Sequence, residues 1–127
     1  LINIVKIEGF SNLRSYSDVI NSLNQNNPIV GGFKLTPNFY RNEGLITYNE
    51  RFLGRKMDSH SAGHAILIIG HMKLPPNMHS REGKSCLIIA NSWTEGWGLG
   101  GHACITQKWF EHYVHRNGLL SINKVSI

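Results

Sequence analysis

Cysteine is scarce in this chain. Cys86 and Cys104 are the only two among 127 residues, too few for a disulfide scaffold or a four-thiolate zinc site. They are open to one bridge or to none. Long apolar runs are missing as well: the longest, Ala65 to Gly70, falls far short of the roughly 20 residues that cross a bilayer, so no membrane partner is expected. Acidic residues are few, 8 Asp+Glu against 13 Lys+Arg for a net +5. The basic residues are scattered as singles, which reads as a solvated, mildly cationic surface rather than a nucleic-acid patch. There is no repeat, no low-complexity tract and no internal linker. The start, Leu-Ile-Asn, has no initiator Met and no targeting segment, and reads as a trimmed or excised piece.

What is present suits one domain, 1–127, with a modest core, since 41% of the residues are apolar. Ile2, Ile4 and Ile7 read as an opening strand, closed by a turn at Glu8-Gly9-Phe10. Val19, Ile20 and Leu23 cluster on one side of a short helix, with Ser17 placed to cap it and Asn26-Asn27-Pro28 to stop it. Ile29 to Leu35 is a glycine-bearing strand, and Phe39, Tyr40, Leu45, Ile46 and Tyr48 lie in an aromatic-rich loop before a shorter extended segment. Residues 49–63 form a long polar connection. Ala65 to His71 then reads as a strand buried on both faces, and Ser85 to Ala90 as a second buried strand. Ala103 to Ile105 is a further strand, Trp109 to Val114 has helical spacing, and Leu119 to Ile127 alternates as a closing strand. Six or seven short strands joined by turns, with two short helices, predict a mainly β, α+β domain built on an antiparallel sheet or partly closed barrel.

Seven histidines each need an explanation. His60 and His64 have a helical metal-ligand spacing, but Gly63 and the Ile-rich run put His64 on a strand, where that spacing does not close on one zinc and no third ligand follows. No metal is expected. His112 and His115 fit one solvated helix face, and His71, His79 and His102 have no evident partner. His64 differs because a polar loop there enters a strand, which fixes its backbone and leaves its side chain at the sheet's rim. Twenty-seven residues later the second buried strand ends in Asn91-Ser92-Trp93. If the two strands are neighbours, His64 and Asn91 face each other across that rim. A histidine acting as general base needs one ring nitrogen free and the other held by an acceptor, which a carboxamide oxygen supplies. With a thiol nucleophile the acceptor need not be charged, because thiolate and imidazolium stabilise each other. Trp93 is placed to shield that hydrogen bond from water. A core-edge histidine bonded to a backbone carbonyl, beside an Asn turn and a packing Trp, would leave the same pattern.

The residues also resemble a family. Gly63-His64-Ala65-Ile66-Leu67-Ile68-Ile69-Gly70 is similar to the histidine-bearing strand of the papain-like cysteine peptidases. Asn91-Ser92-Trp93-Thr94-Glu95-Gly96-Trp97-Gly98-Leu99-Gly100-Gly101 resembles that family's asparagine loop, with spacing kept from Asn91 through Trp97-Gly98 to Gly101. Upstream, Asn27-Pro28-Ile29-Val30, Phe39-Tyr40 and Gly44-Leu45-Ile46 are similar to further segments of the family's second, β-rich lobe. Thr94, His102 and Gly63 depart from its usual residues. The large departure is that the family's nucleophilic cysteine, its helix and the oxyanion-hole glutamine have no counterpart here. Cys86 and Cys104 lie in apolar strands where a thiol would be inert.

The resemblance thus implies half an active site, with His64 as general base and acid, Asn91 as its orienter and Trp93 on the leaving-group side. It implies that Gly32, Ala62 and Gly63 border the pocket for the side chain two residues before the scissile bond, left roomy by Gly31-Gly32. The thiolate would come from a separate N-terminal lobe chain of the same precursor, and the pair would hydrolyse protein or peptide substrates through a thioester, with no cofactor. A propeptide is left open, and a secreted or lysosome- or vacuole-like compartment is favoured. Two alternatives stand beside this one: a catalytically inactive lobe that binds peptides or proteins, and a permuted hydrolase that uses Cys104.

Overall fold

The computed structural model describes residues 6–49 and 63–126. Among these, seven strands form one sheet in the order β1-β7-β2-β4-β5-β6-β3. The strands are β1 (Lys6–Asn12), β2 (Ile29–Lys34), β3 (Leu45–Ile46), β4 (Gly63–Lys73), β5 (Ser85–Ala90), β6 (His102–Thr106) and β7 (Val114–Ser126). Every pairing is antiparallel except the short one between β3 and β6. Among the described residues four short α-helices, α1 (Tyr16–Asn24), α2 (Pro37–Tyr40), α3 (His79–Glu82) and α4 (Gln107–Tyr113), and a 3-10 turn at Pro76–Met78 accompany the sheet. The mainly β class expected from the sequence is the one found, with two helices more than the periodicity suggested.

Several local expectations are revised. The chain does not turn at Glu8-Gly9-Phe10 but runs on as β1, absorbing the glycine as a bulge with register shifts on both sides of Gly9. The cap of α1 is Ser15, whose side chain accepts from the Asp18 amide, and not Ser17, which lies inside the helix. Asp18 in turn accepts from the Arg14 amide, so both ends of the first turn are satisfied. Asn26, at φ 63, takes the left-handed conformation that ends the helix.

The larger revision concerns β4. Its residues alternate in burial, with Ile66 and Ile68 buried and Leu67 and Ile69 exposed at 37% and 45%. A short all-apolar run looks the same whether both faces are covered or one is left open, so the sequence pattern could not separate the two cases. The core lies on the inward face, where Ile29, Phe33, Phe39, Ile46, Ile68, Leu87, Ile89, Ile105, Trp109 and Phe110 are almost fully removed from water.

Cys86 and Cys104 form a disulfide that joins β5 to β6. They sit in a second small apolar cluster with Leu74, flanked by Met78 and Ile88. Both are buried and no free cysteine remains. The permuted hydrolase is therefore corrected: Cys104 has no thiol to ionise, and its sulfur is committed to a structural bridge.

Candidate active site

His64 is the second residue of β4, and β4 pairs with β5 through Leu67 opposite Ala90. That register brings the residue following β5, Asn91, to the same rim as His64. The His64 Nε2 lies 2.9 Å from Asn91 Oδ1. A carbonyl oxygen can only accept, so the ring proton is held on Nε2 and Nδ1 presents its lone pair. Among the described residues no hydrogen bond engages Nδ1. The Trp93 ring stands over the pair, its centroid 5.0 Å from that of His64. The three residues singled out from the sequence therefore meet in one place.

The loop that carries Asn91 and Trp93 is held by its own backbone. The Asn91 amide donates to Gly101 O at 3.0 Å, Gly101 N to Trp97 O at 2.9 Å and Leu99 N to His102 O at 2.8 Å. Gly98 adopts φ +60, and a Cβ there would stand 2.4 Å from His102 O, so only glycine closes this turn. Trp97 is buried and its Nε1 donates to Phe39 O at 2.7 Å, tying the loop to α2. Asn91 Nδ2 is buried with no hydrogen-bond partner among the described residues.

Two aromatic residues complete the surroundings without having been assigned to the site from sequence. Phe39 is fully buried and its ring is 6.1 Å from His64, 5.6 Å from Trp93 and 4.9 Å from Trp97. Tyr40 stacks on the outer side of Trp93 at 5.4 Å and 20°. Their position at the end of α2, which begins at Pro37 after the Thr36 cap residue, was the available signal: a Thr-Pro start followed by two aromatics sends one ring inward and the next outward.

The residues expected from the resemblance to border a substrate pocket fare unevenly. Gly32 and Gly63 lie on the outward face of β2 and β4, one register step apart, since Gly32 pairs with Ala65 and Lys34 with Gly63. Gly31 faces inward, where a Cβ would stand 2.6 Å from the Phe33 ring, and it contributes no room to the pocket. The space over Gly32 and Gly63 is occupied by the imidazole of His115. That residue lies in β7, past the end of α4, and so does not share a helix face with His112. Ala62 and His60 lie outside the described residues.

Four other histidines have hydrogen-bond partners. His71 Nε2 meets Asn24 Oδ1, His79 Nε2 donates to Leu74 O, His102 Nδ1 to Gly100 O and His112 Nδ1 to Lys108 O. Among the described residues no group of three or more His, Cys, Asp or Glu is placed to hold a metal ion.

Among the described residues Glu82 is the one buried carboxylate, 3% exposed. It accepts from Tyr48 N at 2.7 Å and Asn49 N at 2.9 Å, from Asn49 Nδ2 at 2.8 Å and from Thr106 Oγ1 at 2.8 Å. Burial alone would raise its pKa, but these donors outweigh burial and hold it below the usual glutamate range. Glu82 thereby fastens the residues where the chain leaves β3 toward the segment that returns at Gly63.

A family model described as "Papain family cysteine protease" matches residues 2–119. The chain belongs to the papain family of cysteine proteases. A "Cysteine protease" of Blomia tropicalis is 28% identical over 107 residues, covering 78% of this chain and 27% of that protein. Among solved structures, the clostridial cysteine protease Cwp84, after propeptide cleavage, superposes with a TM-score of 0.70 at 13% identity, covering 96% of this chain and 30% of its own. Procathepsin B S9 from Trypanosoma congolense gives 0.65 at 19% identity, covering 97% and 37%. The chain thus spans about a third or less of the length of these papain-family relatives. The superpositions establish the fold as part of a papain-like one.

Proposed function

We propose that this chain is the histidine–asparagine half of a thiol peptidase, and that a cysteine in an N-terminal lobe of the same precursor supplies the nucleophile. The observation that carries the reading is the 2.9 Å contact between His64 Nε2 and Asn91 Oδ1, which leaves the Nδ1 lone pair as the free basic site at the rim. A thiol brought to Nδ1 transfers its proton there and becomes a thiolate beside the imidazolium. The thiolate sulfur attacks the scissile carbonyl carbon, and the oxyanion that forms is met by donors from the other lobe. Collapse expels the amine, which takes the proton from Nδ1, and leaves a thioester. Water then gives its proton to Nδ1 as its oxygen attacks the thioester, and the carboxylate product and the free thiol result.

The outward face of the sheet supports a partner lobe. Register partners share a face, so Phe10, Ile122, Leu120, Val30 and Leu67 form one apolar row across β1, β7, β2 and β4. Phe10 is 60% exposed and Leu67 37%, and the row runs beside Gly32 and Ala65, next to His64. Among the described residues this row is only partly covered, and an exposed apolar row of this kind marks an interaction surface. The inactive binding lobe predicts a chain whose apolar faces are satisfied, which this row does not fit. The disulfide supports an oxidising compartment, as in a secreted or lysosome-like protein.

Co-expression of this chain with the N-terminal part of its precursor tests the reading. Peptide-bond hydrolysis is expected only when both parts are present, and it is lost in His64→Ala. Absence of hydrolysis by the combined protein, or activity untouched by His64→Ala, overturns it.

A further inference from the structure

The row of residues that crosses the inward face of the sheet at Ile29 changes character part-way. From β6 to β2 it runs through Ala103, Ile89, Ile68 and Ile29, each paired with the next and all buried in the core. Beyond Ile29 the same row passes to Ser121 of β7 and then to Ser11 of β1. Hydroxyls stand where the apolar core would continue. α1 overlooks this corner with Asp18, Asn21, Ser22 and Gln25, at the i, i+3, i+4 and i+7 spacing that shares one helix face. Between that face and the two strands lies a recess of about 580 Å³, inside the range of about 300–1,000 Å³ that small-molecule sites occupy. It opens at the Ile29 end of β2, about 13 Å along the strand from Phe33, the residue paired with His64.

The floor of the recess is held by its own contacts. Ser22 Oγ lies against both Asn27 O and Ser121 Oγ, Ser121 Oγ against Asn123 Oδ1, and Asn123 Nδ2 donates to Ser11 Oγ at 2.6 Å. The rim is different: the carboxamides of Asn21, Gln25 and Asn27 make no hydrogen bond with another described residue. Among the described residues no lysine, arginine or histidine lines the recess, and Lys124, next to Asn123, is paired with Glu8. An anion therefore finds no counter-charge. The one lining carboxylate, Asp18, already accepts from the Arg14 amide, and a single carboxylate falls short of the oxygen set a calcium ion needs. Leu13 is the one apolar side chain of the lining, so an apolar ligand would bury little area against it. What the rim offers is carboxamides, each with a donor and an acceptor side by side. That pairing matches adjacent hydroxyls on a sugar ring, which donate and accept in the same way.

We propose that this recess binds a neutral saccharide of one or two rings, with Asn21, Gln25 and Asn27 as the groups that hydrogen-bond its hydroxyls. The site is separate from the rim of His64 and Asn91 and stands whether or not the peptidase reading does. A free sugar and a glycan carried on a protein share this chemistry. Binding is weak, because polar contacts at an open rim replace water without much apolar burial.

The test uses the full-length protein and saturation-transfer NMR with maltose, mannobiose, lactose and chitobiose, and with glucuronic acid and inorganic phosphate as charged controls. At least one of the neutral disaccharides is expected to receive saturation, and the controls none. The Asn21→Leu, Gln25→Leu double variant should weaken that binding about tenfold, the scale of two neutral hydrogen bonds lost at an exposed rim. Both residues are exposed, so neither change threatens folding, and circular dichroism checks that it does not. A glycoprotein bearing the same sugar, and its deglycosylated form, then separate the two sources: retention of the glycosylated form alone assigns the site to protein-borne glycans, and retention of neither assigns it to free saccharide. Saturation of none of the four disaccharides, equal binding by the double variant, or stronger binding of a charged control overturns the proposal.

Discussion

Replacing Glu82 by Gln is expected to destabilise the protein by about 3 kcal/mol at neutral pH. The carboxylate accepts four hydrogen bonds, two at each oxygen. Glutamine keeps one acceptor, for Tyr48 N and Thr106 Oγ1, and turns an NH₂ group toward two donors of Asn49. Two charge-assisted bonds are lost, at roughly 1.5–3 kcal/mol each, and the surviving pair weakens to neutral strength. Partial relaxation of Asn49 at the edge of the site brings the sum down to about 3 kcal/mol. Because the folded pKa is lowered, the carboxylate's contribution is fully present above the ordinary glutamate range, about 4.3. It is lost as pH falls through the lowered folded value, where the folded state must take up a proton against its donors. Urea unfolding followed by tryptophan fluorescence, at pH 7 and at steps down to pH 3, measures both effects. The wild type should lose stability over the acid range more steeply than Glu82→Gln, and the two curves should converge. A difference at pH 7 under about 0.5 kcal/mol, or parallel acid slopes, would refute the reasoning.

Asn91→Ala removes the acceptor that fixes the His64 proton on Nε2. In the full-length enzyme kcat should fall about tenfold, the worth of one part-buried hydrogen bond of about 1.4 kcal/mol, and stopped assays on a single peptide would measure it. Opening the Cys86–Cys104 bridge, whose partners are 18 residues apart, should cost about 3 kcal/mol by chain entropy, seen as a lower urea midpoint for the Cys86→Ala, Cys104→Ala double variant. Phe39→Ala should cost about 3–5 kcal/mol as a buried aromatic lost from the core, and should also slow hydrolysis, because the ring touches His64, Trp93 and Trp97. Unchanged kcat in a folded Phe39→Ala protein would count against its role in holding the site.

The rim that holds His64 and Asn91 was legible because both residues terminate apolar strands, and strands of that character pair. The Gly and Trp spacing after Asn91 carried the loop, whose closure depends on Gly98 at positive φ. The exposure of the outer face of β4 was not legible, since Leu67 and Ile69 are as apolar as the neighbouring core residues Ile66 and Ile68, and only their exposure among the described residues distinguishes them. His115 was hidden for another reason. Its place depends on how many β7 residues oppose Gly32, a register that no local pattern encodes, and by spacing it looked like a continuation of α4. Glu82 is bonded to residues 33 and 34 positions away, so a short charged stretch between two strands gave no hint that its carboxylate was buried.

The most direct measurement is labelling of the full-length protein with a thiol-directed epoxide, with mass spectrometry to locate the adduct and rates compared between wild type and His64→Ala. If His64 and Asn91 serve a thiolate from the other lobe, one adduct forms on a cysteine outside these 127 residues, and His64→Ala slows it by orders of magnitude. An adduct rate indifferent to His64→Ala, or no adduct on an intact protein, would contradict it.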